Sequence, residues 1–255
     1  MNTLIIGYGT VGRNLEKELR PLSPDIYDIE LIMFNTKKDI KYDFAFICVD
    51  TPLKEDYSLD IAQVKNAIKD NDAEIYIIKS TCPLGTVNKL KEETGKRIVF
   101  SPEYYGGTQH CNNFEFDFTI LGGDKEDCIP VVQLLQHCYD GRHQFRITDS
   151  KTAELTKFME NSFLATKVSF CNQFYEICQK HKIDYEELRE LFILDKRMGD
   201  SHTFVYKDKP YWDSHCLNKD VPHIAYTTNS DFLINLCEFN KKNKNKLLKG
   251  GKFNE

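Results

Sequence analysis

Short apolar runs alternate with helical segments along the first half of the chain. Six such runs predict strands, at residues 2–6, 26–32, 44–49, 74–78, 97–100 and 118–121. Apolar positions at helical spacing predict helices from the first run to Pro21, over 60–69 and over 87–93. The run at 44–49 has no polar position, which is typical of a strand buried on both faces of a parallel sheet. The alternation predicts an α/β fold with a doubly wound sheet.

The pattern changes near residue 150. From Lys151 to His181 there is neither Gly nor Pro, and apolar residues recur at steps of three and four, which predicts one long helix. Further helices are predicted over 185–194 and 231–243, separated by an extended loop at 199–222. We therefore expect two domains, a Rossmann-type domain over residues 1–149 and a helical central domain over 150–255.

Charge and cysteine content exclude several classes of protein. A net charge of -5 gives no basic face for nucleic acid, and the one basic stretch, 241–252, is typical of a solvated chain end. No apolar run approaches the roughly 18 residues of a membrane span, and the first residues do not resemble a signal peptide. The nine cysteines lack metal-ligand spacing, so we expect reduced thiols, no metal site and a cytoplasmic protein.

A glycine loop follows the first predicted strand and opens the first helix. In Gly7-Tyr8-Gly9-Thr10-Val11-Gly12, Gly7 permits a tight turn, Gly9 lets the backbone approach a pyrophosphate, and Gly12 lets the helix pack on the strand. The helix start at Thr10 and Val11 would present N–H groups to the phosphates. The alternative is a structural strand–turn–helix that holds no ligand.

A carboxylate for the adenosine ribose is expected at the end of the second strand. Asp28 and Glu30 both qualify, and Asp28 is favoured. Because a carboxylate there disfavours the 2'-phosphate of NADP, the sequence predicts NAD as the cofactor.

Beyond the glycine loop, seven separated segments carry a further pattern: Val49-Asp50-Thr51-Pro52, Lys79-Ser80-Thr81-Cys82-Pro83-Leu84-Gly85-Thr86, Ser101-Pro102-Glu103-Tyr104-Tyr105, Leu121-Gly122-Gly123, Ala153-Glu154-Leu155-Thr156-Lys157 with Asn161 and Leu164-Ala165, Asp195-Lys196-Arg197-Met198-Gly199, and Cys216-Leu217-Asn218-Lys219-Asp220. In their order along the chain, these segments resemble the UDP-glucose/GDP-mannose dehydrogenase family, the nucleotide-sugar 6-dehydrogenases. No single segment is decisive, whereas all of them in order across about 240 residues are hard to obtain by chance.

The resemblance implies an enzyme that oxidises the CH2OH of a nucleotide sugar to a carboxylate with two NAD molecules. Cys216 would trap the aldehyde, and its alternative is one buried cysteine among nine. Lys157 and Asn161 lie one helical turn apart and would hold the oxygen that gains negative charge; their alternative is a solvated helix face.

Other positions take roles from the resemblance alone. Thr81 and Asp220 would position a water, and Glu103 would serve thioester hydrolysis. Arg197 would reach the substrate of a second subunit, which implies a homodimer, or it is a surface arginine at a helix end. The remaining contacts implied are to the cofactor, from Val49, Thr51, Pro52 and Ser80, and to the substrate, from Tyr104, Tyr105 and Lys219.

The chain also departs from the family pattern. Family members usually continue into a second α/β domain that binds the uridine nucleotide, and we expect that domain to be lacking here. The segment Tyr211-Trp212-Asp213-Ser214 replaces a glycine-rich G-F-G-G, so we expect Trp212 to reshape or block the substrate pocket. Three hypotheses remain: an active minimal dehydrogenase, a non-catalytic NAD-binding or regulatory relative, and a hydroxyacid dehydrogenase that needs no cysteine.

Overall fold

The structure, a computed structural model, describes residues 1–105 and 116–248. Its contacts divide these residues into two compact units, with the boundary between Lys157 and Phe158. This lies later in the chain than the expected boundary at 149, because the long helix contributes Ala153 to the hydrophobic core of the first unit. The basic stretch expected at 241–252 extends past the described residues.

The first unit is a seven-stranded sheet with helices on both faces, as the sequence predicts. Its strands are β1 (Thr3–Ile6), β2 (Asp25–Tyr27), β3 (Tyr42–Ile47), β4 (Ala73–Ile78), β5 (Arg97–Phe100), β6 (Phe118–Gly122) and β7 (Gln144–Thr148). Its helices are α1 (Thr10–Glu18), α2 (Ala62–Asp70), α3 (Thr86–Thr94) and α4 (Lys125–Leu135). The strand order is β2-β1-β3-β4-β5-β6-β7, and β1 to β5 run parallel while β6 is antiparallel to β5.

Alternate side chains of the central strands enter two separate cores. Leu4 and Ile6 of β1 pack on one face together with α2 and α3, whereas Ile5 packs on the other with α1 and α4. Both faces are therefore covered, which explains why these strands are apolar over most of their length, with the exposed Asp43 and Glu74 near the start of β3 and β4. The doubly wound architecture is confirmed.

Three elements of this unit differ from the sequence prediction. The second strand ends at Tyr27 instead of residue 32, because the Asp28 carboxylate accepts N–H bonds from Glu30 and Leu31 and turns the chain. Helix α4 contains Pro130, which obscures its helical pattern. Strand β7 is an edge strand with mostly exposed positions, so it lacks a clear apolar run.

The second unit is helical. Helix α5 (Ser150–His181) reaches into it from the first unit, and α6 (Tyr185–Phe192), α7 (His215–Thr227) and α8 (Asp231–Leu248) follow. The predicted loop at 199–222 is wrong from His215 onwards, because Ser214 caps α7 by accepting the N–H of Leu217, and Pro222 is tolerated inside that helix. No helix among the described residues is both long and apolar enough to cross a membrane.

Candidate cofactor and catalytic residues

The glycine loop lies where the order of the parallel strands reverses. Strand β1 has β2 on one side and β3 on the other, so the connections leaving its two sides diverge and open a crevice at the carboxyl ends. Gly7 follows β1 with φ +91°, and a Cβ on it would lie 2.8 Å from the carbonyl carbon of Cys48, just after β3. Only glycine fits there.

The other two glycines differ in what surrounds them. A Cβ on Gly12 would lie 2.0 Å from the carbonyl oxygen of Gly7, so Gly12 permits the close contact of α1 with the turn. A Cβ on Gly9 would meet no protein atom within 4 Å. Gly9 therefore borders open space at the N-terminus of α1, beside Thr10 and Val11, as a pyrophosphate site requires.

The carboxylate of Asp28 lies next to this loop. Its Oδ2 accepts the N–H of Tyr8 at 2.6 Å, and its Oδ1 accepts N–H bonds from Glu30 and Leu31, each at 2.8 Å. Burial opposes ionisation, but hydrogen bonds from Leu31, Tyr8 and Glu30 outweigh it and hold the pKa of Asp28 below its ordinary value. An ionised acid at this place fits a ribose with a free 2'-hydroxyl, so the residues present fit NAD.

Two neighbouring strands bring the next predicted residues together. The Ser80 hydroxyl, after β4, donates to the Val49 carbonyl oxygen at 2.6 Å. The Thr51 hydroxyl donates to the Thr81 carbonyl oxygen at 2.7 Å, and both threonines are buried. These bonds tie the turn that ends in Pro52 to the following segment. The structure thus places the two segments side by side at the carboxyl ends of the central strands, the same end of the sheet that carries the glycine loop.

Glu103 and Lys157 form a buried pair in the first unit. The Lys157 ammonium donates to the Glu103 carbonyl oxygen at 2.6 Å and lies 3.6 Å from its carboxylate Oε1. The same ammonium lies 5.1 Å from the centre of the Tyr104 ring. A cation, a carboxylate and an aromatic ring therefore meet where β5 ends.

Tyr105 extends to a different part of the same unit. Its N–H donates to the Glu103 carboxylate at 2.9 Å, whereas its hydroxyl donates to Glu18 of α1 at 2.8 Å. The hydroxyl is therefore engaged by protein, and only the ring and backbone of Tyr105 remain for a substrate.

In the helical unit, Asp220 of α7 is the centre of a second polar cluster. Its side chain is fully buried, and its two carboxylate oxygens accept hydrogen bonds from the Asn161 amide and the Lys219 ammonium, each at 2.7 Å. Cys216 is the second residue of the same helix and is half-buried. A helix N-terminus favours a negatively charged thiolate at such a position.

Arg197 and Trp212 take no part in this cluster. The Arg197 side chain is 84% exposed and pairs with Asp195. The Trp212 side chain is 5% exposed and packs in the hydrophobic core of the helical unit with Ala165 and Leu217. The Asn240 side chain fixes the backbone there: its oxygen accepts the backbone N–H of Trp212, and its amide nitrogen donates to the Trp212 carbonyl oxygen, each at 2.9 Å. The aromatic residue that replaces a glycine is thus absorbed by the core of its own unit.

Among the buried ionisable residues that were not singled out from the sequence are Glu154, Lys79 and His223. The Glu154 carboxylate accepts the N–H groups of Gly85 at 2.5 Å and Val87 at 3.0 Å, so it caps α3, and burial raises its pKa. The Lys79 ammonium bonds the Ser101 hydroxyl and the Pro102 carbonyl, and burial lowers its pKa. His223 lies one turn after Lys219 on α7, against the Phe158 ring. Of these three, sequence reasoning could have found Glu154 and Lys79, because each lies in a segment that resembles the family.

The chain matches two domains of one protein family. Residues 4–141 match the UDP-glucose/GDP-mannose dehydrogenase family, NAD binding domain, and residues 151–242 match its central domain. UDP-glucose 6-dehydrogenase of Rickettsia bellii is 30% identical over 69% of this chain, and the match spans 43% of that protein. This chain therefore spans less than half of that relative.

Solved structures share the fold. The UDP-glucose dehydrogenase of the archaeon Pyrobaculum islandicum superposes with a TM-score of 0.78 at 20% identity, over 95% of this chain and 68% of that one. The 3-hydroxyisobutyrate dehydrogenase of Mycobacterium tuberculosis gives 0.66 at 12% identity, over 100% and 96% of the two chains. The glycine loop and the ionised Asp28 are suited to NAD, which is the cofactor of this chain. The two family matches and the shared fold show that the chain belongs to the UDP-glucose/GDP-mannose dehydrogenase family.

Proposed function

We propose that the protein is an NAD-dependent nucleotide-sugar 6-dehydrogenase of the UDP-glucose 6-dehydrogenase type. The observation that carries the proposal is the cluster on α7. Cys216 lies in the first turn of that helix, and the fully buried Asp220 lies one turn further on, hydrogen-bonded to Asn161 and Lys219. A structural cysteine would not need a buried carboxylate with two buried donors beside it on the same helix.

In the proposed reaction, NAD held by the glycine loop would supply the hydride acceptor for each of the two oxidations. The first converts the sugar CH2OH to an aldehyde and releases a proton. The Cys216 thiolate then adds to the aldehyde carbon, and the oxygen takes up a proton to give a thiohemiacetal. Loss of the second hydride and of the hydroxyl proton leaves a thioester. Water attacks that carbonyl carbon, the C–S bond breaks, and the carboxylate and the thiol are released.

Two buried hydrogen-bond donors would stabilise the negative charge that develops during the reaction. Lys157 and Asn161 would bind the oxygen on which negative charge develops during aldehyde capture and thioester hydrolysis. One such donor contributes on the order of 3–4 kcal/mol to the barrier in other enzymes. Asp220 and Thr81 would position the water, and Glu103 would take its proton. Tyr104, the ring of Tyr105 and Lys219 would contact the substrate, and Arg197 would reach the substrate of a second subunit.

Cofactor contacts follow from the fit described above. Gly7, Gly9, Thr10, Val11 and Gly12 would hold the pyrophosphate, and Asp28 the adenosine ribose. Val49, Thr51, Pro52 and Ser80 would line the nicotinamide half, and the bonds from Ser80 and Thr51 keep that wall rigid.

The test measures NADH absorbance with NAD and UDP-glucose, and then with a panel of other nucleotide sugars and sugar phosphates. Cys216→Ala is expected to abolish turnover. Cys138→Ala is the matched control, because Cys138 is also half-buried but lies at the end of α4 in the first unit, and it should keep turnover within about twofold. Turnover that survives in Cys216→Ala would instead support a hydroxyacid dehydrogenase.

A second candidate is a non-catalytic NAD-binding relative. It predicts that NAD raises the melting temperature while no sugar in the panel yields NADH. The buried Lys157–Glu103 and Asn161–Asp220 contacts favour the enzyme, because a protein without catalysis gains little from burying such groups.

A homodimer and a cytoplasmic location belong to the same proposal. Helix α5 carries an exposed apolar stripe at one face of the helical unit: Met159, Phe163, Phe170, Phe174 and Ile177. Large exposed apolar patches mark interaction surfaces, and a second copy would cover this one. All eight cysteines in the described part of the chain are free thiols, which suits a reducing compartment.

A further inference from the structure

The segment after β5 is held by several buried groups at once. The Lys79 ammonium bonds the Pro102 carbonyl oxygen at 3.4 Å, and the Lys157 ammonium bonds the next carbonyl oxygen, of Glu103, at 2.6 Å. These two cations fix the backbone. The Glu103 carboxylate is held at both oxygens: its Oε1 lies 3.6 Å from the Lys157 ammonium, and its Oε2 accepts the N–H of Tyr105 at 2.9 Å.

Tyr105 is fixed in turn by the first helix. Its hydroxyl donates to Oε1 of Glu18, the last residue of α1, at 2.8 Å. The other oxygen of Glu18 accepts the hydroxyl of Tyr139, which follows α4. Burial, together with the negative charge of Glu18, raises the pKa of both tyrosines, so both remain protonated donors over the physiological range. Two equivalent phenols thus bond one carboxylate, but only Tyr105 continues to Glu103.

We propose that Glu18 and Tyr105 are positioning residues that orient the Glu103 carboxylate from the C-terminal end of the cofactor-binding helix. Glu18 holds the Tyr105 side chain, and the Tyr105 N–H then holds the Glu103 oxygen. The consequence for catalysis rests on the proposed function, in which Glu103 takes a proton from water. The orientation of Glu103 itself does not depend on the reaction.

The sequence suggested a substrate contact for Tyr105, whereas its hydroxyl points to α1 and is occupied there.

The test compares Tyr105→Phe with Tyr139→Phe in the full chain. Each variant keeps a ring and removes one hydroxyl from the same carboxylate, so both should lower the melting temperature to a similar extent. Amide hydrogen exchange, followed by NMR, should be about tenfold faster at the Tyr105 N–H in Tyr105→Phe and unchanged within twofold in Tyr139→Phe. Equal exchange in the two variants would overturn the proposal. Glu18→Gln serves as a second variant, expected to match Tyr105→Phe.

Kinetics separate positioning from substrate binding. With a substrate that yields NADH, Tyr105→Phe should lower kcat about tenfold and leave the KM values for NAD and sugar within twofold, whereas Tyr139→Phe should change neither. A raised KM for the sugar with unchanged kcat would make Tyr105 a substrate contact and refute the positioning role. If the wild-type protein turns over no nucleotide sugar, the proposed function fails, and the exchange comparison still decides whether Tyr105 orients Glu103.

Discussion

The glycines of the loop after β1 differ in what surrounds them, so substitutions there test the cofactor site without any substrate. A methyl group on Gly9 would meet no protein atom within 4 Å, whereas on Gly12 it would lie 2.0 Å from a backbone oxygen. Gly9→Ala should therefore lower the melting temperature of the ligand-free protein by no more than about 4 °C, the cost of placing alanine at the N-cap of α1. It should weaken NAD binding at least about tenfold, a loss of about 1.4 kcal/mol, because the methyl group fills the space proposed for the pyrophosphate.

Gly12→Ala should affect both properties. The overlap with the Gly7 carbonyl forces α1 away from the turn, at a cost of about 1–3 kcal/mol. In a chain of this size, each kcal/mol lowers the melting temperature by about 2–4 °C. Gly141→Ala is the control, since its methyl group also meets nothing within 4 Å but lies far along the chain, before β7. Calorimetric titration with NAD and thermal melts measure both effects. If Gly9→Ala binds NAD as tightly as Gly141→Ala does, the assignment of the glycine loop to the pyrophosphate is refuted.

Three further variants test separate parts of the structure. Asp28→Asn should weaken NAD binding and destabilise the fold at pH 7. Because the pKa of Asp28 is lowered in the fold, the stability gained from its charge is present above about pH 3.8 and lost below it. Urea melts of wild type and variant should therefore converge only in stronger acid. Glu154→Leu should cost about 1–3 kcal/mol in urea melts, because the two N–H groups that begin α3 lose their acceptor, and an unchanged midpoint would contradict this. Phe163→Glu should shift the protein to monomer in light scattering, while Met33→Glu, at a still more exposed apolar position of the first unit, should not; a monomeric wild type would end the dimer proposal.

The sheet was predictable because burial on both faces leaves its central strands mostly apolar. Where that condition fails, the prediction failed too. Strand β7 lies at the sheet edge, and β2 stops at Asp28 because a side chain there satisfies the backbone in place of a neighbouring strand. Helix α7 was missed because Pro222 is usually a helix breaker, whereas its cost is small here beside the packing of Leu217, Val221 and Ala225 in the core.

For the candidate site, sequence reasoning found residue types but not their partners. Asn161 and Asp220 were each assigned a role, yet their bond joins positions on two helices and no local spacing indicates it. Glu18 has no motif at all, because its partner Tyr105 lies in another segment and only the fold brings the two together. Trp212 was expected at the substrate pocket since it replaces a glycine, but the core of the helical unit absorbs its ring, with Asn240 fixing its backbone.

The central claim is a four-electron oxidation through Cys216, and the number of NADH molecules formed per sugar tests it most directly. With limiting nucleotide sugar and excess NAD, the absorbance at completion should correspond to two NADH per sugar, and Cys216→Ala should form none. One NADH per sugar in the wild-type protein, or two in Cys216→Ala, would contradict the account.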